Sequence, residues 1–117
     1  MATTVIDTTA IPRIKGSNGS SAEILNRELC GATYSRGALR WLQDGERFDA
    51  RSDVPAHQLI YFLDGKGAIK LDSKEYEVEK GGGVYLAPSE TASIIQVGSA
   101  PLKVFHLTVP KKLNFNN

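Results

Sequence analysis

The 117-residue chain has one cysteine, Cys30, and two histidines, His57 and His106. A single thiol cannot close a disulfide within the chain, so nothing points to a cross-linked secreted scaffold. Two histidines and one thiolate also exclude a three-histidine metal site, and the zinc sites built on four thiolates or on two thiolates with two histidines. An excess of one charge is missing too. Fourteen Lys and Arg stand against 13 Asp and Glu, and a net charge of +1 lacks the basic surplus that phosphate neutralisation demands. Nucleic acid is therefore not expected as a partner. The longest apolar runs are four or five residues, far short of the roughly 20 that span a bilayer, so no membrane association is expected. The first 14 residues show no basic stretch leading into an apolar one, the pattern of a secretory signal. A single domain working in the cytoplasm is the resulting expectation.

What is present is β-favouring sequence cut into short lengths. Residues 1–21 end in Gly16-Ser17-Asn18-Gly19-Ser20-Ser21, which resists helix and reads as an N-terminal arm and linker. Residues 22–110 read as the folded domain and the polar 111–117 as a tail. The one candidate helix is Ala22–Cys30. Strands are expected at Ala38–Gln43, Gln58–Leu63, Ala68–Leu71, Glu75–Val78, Gly83–Leu86, Thr91–Val97 and Leu102–Val109, with turns at Asp44-Gly45, Asp64-Gly65, Asp72-Ser73, Lys80–Gly83 and Gly98–Pro101. Turns every eight to twelve residues suit an all-β sandwich or barrel, and Asp-Gly between apolar runs is a strong turn signal.

The order of turns and strands from Gly45 to Val109 resembles a cupin, the small jelly-roll barrel family. Cupins carry a first motif of Gly, five residues, His-x-His, three or four residues, Glu, six residues, Gly. Here Gly45, Arg51-x-Asp53, Gln58 and Gly65 keep that frame without a gap. Their second motif, Gly, five residues, Pro-x-Gly-x-x-His, three residues, Asn, is matched in spacing by Gly81, Ala87, Ser89, Ala92 and Gln96. The resemblance covers about 65 residues and implies an all-β double-stranded β-helix, or jelly-roll barrel. It also implies where a metal would sit, and there the residue types have changed. Arginine has no lone pair to offer, alanine has no donor atom, and Asp53 with Gln58 is too small a ligand set for a transition metal. No metal or other cofactor is expected at the usual place.

The expected function is the binding of a small polar or anionic molecule in the barrel. Arg51 would clamp a carboxylate or phosphate, Asp53 and Gln58 would hydrogen-bond hydroxyls, Trp41, Phe62 and Ile94 would be apolar walls, and Gln96 and His106 would also line the barrel. Strand alternation from Arg47 competes with this, because it puts Arg47, Asp49, Arg51 and Asp53 together on a face that would normally be wet. Gln58 shares parity with Ile60 and Phe62 and should face inward. His106 shares parity with Leu102, Val104 and Thr108, as a satisfied core histidine or a cavity residue. His57 falls with Leu59, Tyr61 and Leu63 on an outer apolar row that needs cover, which predicts a homodimer with residues 1–15 reaching across to the neighbour. The alternative is a metal-independent isomerase, epimerase or lyase acting on a sugar or keto acid. His106 or His57 would be its base, Tyr61 or Tyr85 its acid, and Arg51 would stabilise an enolate. A more remote version is a metal-dependent enzyme whose unusual ligands are His57, His106, Asp53 and Gln58.

Overall fold

Ten strands follow one another with no α-helix among the described residues, which in this computed structural model are 5–16, 19–26, 35–52 and 54–111. They are β1 (Ile14–Gly16), β2 (Gly19–Leu25), β3 (Arg36–Leu42), β4 (Arg47–Ala50), β5 (Ala56–Asp64), β6 (Lys66–Leu71), β7 (Lys74–Glu79), β8 (Gly83–Leu86), β9 (Ala92–Val97) and β10 (Leu102–Pro110). A short 3-10 turn, Thr8–Ala10, precedes them and is capped by the Asp7 side chain. The strands form a six-stranded sheet in the order β1-β2-β3-β10-β5-β8 and a four-stranded sheet in the order β4-β9-β6-β7, antiparallel throughout. The fold is a jelly roll of two antiparallel sheets.

Alternation decides which side chains meet between the sheets. The larger sheet sends in Leu42, Ile60, Phe62, Leu86, Leu102 and Val104, and the smaller one Phe48, Ala50, Ile69, Ala92 and Ile94. Phe62, Ile60, Ile94, Leu42 and Val104 have no exposed surface. The interior at this level is closed by packing.

Two sequence expectations need correction. The candidate helix is a strand as far as Leu25, because Ala22 pairs with Leu39 across the sheet and is buried there; Arg27 to Cys30 lie outside the described residues. Part of the expected arm is also sheet. Ile14, Lys15 and Gly16 pair with Ser21, Ser20 and Gly19, so the pairing partner, not the Gly-Ser composition, sets the local structure. The two Asp-Gly turns are turns, but each carries the chain from one sheet to the other. A tight two-residue hairpin is formed by Asp72-Ser73, between paired Leu71 and Lys74, with Asp72 at φ 57°.

Candidate functional site

The inner face of the larger sheet is apolar at one end and polar at the other. Register pairs Val104 with Arg40, His106 with Ala38 and Thr108 with Arg36 across β10 and β3. The same register places Glu23 beside Ala38 and Gln58 beside Thr108. Beyond Val104, therefore, the inward residues change from Leu and Val to His, Thr, Arg and Glu. They surround a cavity of about 170 Å³. Strands β2, β3 and β10 make its floor, and Arg51 with Ser52, just after β4, make its rim.

Its centre is a chain of hydrogen bonds. Arg40 Nε donates to His106 Nδ1 at 3.1 Å, and His106 Nε2 lies 2.8 Å from Gln58 Oε1. Gln58 Nε2 in turn donates to the Ala50 carbonyl at 3.5 Å. An arginine nitrogen can only donate, so Nδ1 must be the acceptor and the proton of the neutral imidazole sits on Nε2, directed at Gln58. Burial pushes the His106 pKa down to about 4, and the Arg40 charge adds to this. Burial also lowers the Arg40 pKa, while Glu23 opposes that through space. The Arg40 guanidinium carbon stands 4.6 Å from the centre of the Phe48 ring, which holds the group against an apolar wall. His106 is thus a neutral, fully committed histidine at the floor of a polar cavity.

The sequence candidates part company at this point. Gln58 and His106 face inward and bond to each other. Arg51 does not enter the barrel: its side chain is 69% exposed and pairs with Asp49 at 3.1 Å, on the wet face that alternation from Arg47 implies. Asp49, held also by the Ser93 hydroxyl, is shifted below the usual carboxylate range, chiefly by that hydroxyl. Phe62 and Ile94 are close-packed core and not cavity walls. Gln96 is buried, but its amide is spent on the loops: Oε1 accepts from the Gly45 N–H at 2.7 Å and Nε2 donates to the Gly98 and Ala100 carbonyls. Trp41 shares the outer face with Lys103, its cross-strand partner, and lies under Arg13 at 3.8 Å. Asp53 lies outside the described residues.

The residues that sequence reasoning missed are Arg40, Arg36, Glu23 and Thr108. A signal was present in Arg36, Ala38, Arg40 and Leu42, whose common parity opposes that of Trp41. Only the pairing of β3 with β10 shows which parity is inside.

Among the described residues, those at the cupin metal position do not form a ligand set for a metal. Ala92 is core, Arg51 is an exposed cation, the Gln58 oxygen is engaged by His106, and both ring nitrogens of His106 are occupied. Among the described residues no three His, Cys, Asp or Glu side chains gather. His57 lies on the outer face, 2.6 Å from the Tyr85 hydroxyl, so it cannot join His106 in a shared site.

Residues 37–114 match the family model described as the AraC-like ligand binding domain. An uncharacterised protein of Methanocaldococcus jannaschii is 27% identical over 89 residues, which are 72% of this chain and 71% of that one. A Thermotoga maritima protein described as a predicted oxalate decarboxylase superposes with a TM-score of 0.80 at 18% identity, over 91% of this chain and 98% of its own. A cupin 2 conserved barrel domain protein of Salinispora arenicola does so with a TM-score of 0.72 at 12% identity, over 95% and 90%. These two likenesses are of fold. No helix among the described residues is long and apolar enough to cross a membrane.

Proposed function

Since the chain belongs to the AraC-like ligand binding domain family, within the cupins, we propose that it is a small-molecule binding module of the cytoplasm that holds a polar or anionic ligand in the Arg40–His106 cavity without a metal. One observation carries this reading. The polar side chains of the inner face converge on an open cavity of about 170 Å³, beside a closely packed apolar core. Binding is favoured over the isomerase alternative because His57 and Tyr85 pair on the outer face, and His106 has no free ring nitrogen with which to take a proton.

The experiment is a thermal-shift screen of polar and anionic small molecules against the native chain and Ala38→Trp, which fills the cavity from its floor. A ligand that binds only the folded state raises the midpoint by mass action. A hit is expected to be lost in the variant, and hits that survive it would place binding elsewhere. Stoichiometric transition metal in the purified protein would overturn the metal-free part.

We also propose a homodimer through the outer face of the larger sheet. Leu59, Tyr61 and Tyr85 are exposed there, beside half-buried Leu63, Phe105, Leu107 and Val109. Among the outward residues of β5, β8 and β10 the single ordinary cation is Lys103, at one end. A nearly uncharged apolar sheet face matches its own copy about a two-fold axis better than it matches a charged partner. Light scattering that finds only monomer at micromolar concentration would refute this.

A further inference from the structure

We infer that the ligand of this cavity is a small hydroxycarboxylate, with its carboxylate gripped end-on by the two terminal nitrogens of Arg40. The inference rests on the cavity being the binding site and adds the chemistry of what fills it.

Arg40 is presented unusually well for this task. Its Nε is committed to His106 Nδ1, and its plane is held over Phe48. The side chain is fixed from both directions, with the Nη1/Nη2 end left over. Among the described residues those two nitrogens have no hydrogen-bond acceptor, and no carboxylate lies within 4 Å of the guanidinium. Glu23 acts on it only through space, and Oε1 of that carboxylate accepts from Asn26. A half-buried cation without a contacting anion is costly unless something supplies the missing charge. A fork of two parallel N–H groups fits the two oxygens of a planar carboxylate in bidentate fashion.

Size and the remaining lining narrow the class. A volume of 170 Å³ lies under the range for drug-sized ligands and suits a small carboxylate. Thr108, Ser52 and Glu23 also line the cavity and offer hydroxyl and carboxylate partners for a ligand hydroxyl. Arg36 and Arg51 line the same space beside Arg40 and outweigh the one carboxylate, Glu23, so the lining favours an anion and inorganic phosphate is the competitor to test.

The test is calorimetric titration of the full chain with lactate and glycerate, with propane-1,2-diol and glycerol as their neutral counterparts, and with inorganic phosphate. The native chain, Arg40→Lys, Arg40→Met and Ala38→Trp are compared, and the fold of each is checked by far-UV circular dichroism. The hydroxycarboxylates are expected to bind and the neutral molecules to bind at least tenfold more weakly. Arg40→Lys, which keeps the charge and loses the fork, is expected to weaken the carboxylates at least tenfold in a folded protein. Neutral polyols that bind as tightly as the acids, indifferent to Arg40 yet blocked by Ala38→Trp, would overturn the carboxylate and leave the cavity standing. Phosphate preferred over the carboxylates would overturn it as well, and so would no carboxylate binding at all. Binding of either kind that survives Ala38→Trp would instead remove the cavity.

Discussion

Between pH 7.5 and 4.5 acid should destabilise this protein chiefly through His106. In the unfolded chain its imidazole takes up a proton near the ordinary value of 6.5, whereas in the fold it resists until about 4. Between those values the unfolded state binds more protons, so the free energy of unfolding falls as pH falls. The contribution is fully present above about pH 6.5 and is lost progressively toward pH 4. At about 1.4 kcal/mol per pH unit the whole window is worth roughly 3 kcal/mol. A drop from pH 7.5 to 4.5 should remove roughly 2–3 kcal/mol, or about 1–2 M in a urea midpoint for a domain of this size. Because His106 is only 5% exposed, solvent screening takes little from this figure. The comparison is with His106→Gln, whose amide can still accept from Arg40 and donate to Gln58 but does not titrate. Carboxylates and the half-buried His57 are common to both proteins, so subtracting the two pH profiles isolates His106. Urea unfolding followed by Trp41 fluorescence at several pH values supplies them. Parallel profiles, within about 0.5 kcal/mol across the window, would refute the claim that the Arg40–His106–Gln58 chain holds a neutral imidazole.

Three further outcomes are expected. Gln96→Ala should cost about 2 kcal/mol in urea unfolding, because one buried amide ties Gly45 to Gly98 and Ala100, and it should leave ligand binding unchanged. Gly65→Ala should cost clearly more than Gly45→Ala, which should stay near 1 kcal/mol. Both glycines have positive φ, but a Cβ at Gly65 would strike the Pro101 carbonyl, whereas Gly45 has open space; equal losses would contradict this. Tyr61→Glu should convert a dimer to a monomer in light scattering with an unchanged circular dichroism spectrum, and a variant that remains dimeric would move the interface off this face.

Much of the molecule was legible from residue order. Seven of the eight strands from β3 to β10, all but β4, were placed within a few residues, since alternating apolar residues bounded by Gly and Asp turns carry their own information. The inward parity of Gln58 and His106 was readable for the same reason. The first strands were not, because Ala22 to Leu25 has no alternation of its own and becomes strand by pairing with β3. Arg51 was drawn into the barrel by the family frame, yet the plain alternation from Arg47 described its exposed position.

The sequence by itself determined an all-β sandwich or barrel, since periodicity and turn chemistry are properties of residue type and spacing, and its resemblance to cupins implied the jelly roll and the loss of the usual metal ligands. Tertiary structure decided where the polar chemistry lies. Arg40 and His106 are 66 residues apart and meet because β3 and β10 are neighbours in the sheet. No local pattern encodes that pairing, and the cavity, the neutral histidine and the unmatched charge of Arg40 all follow from it.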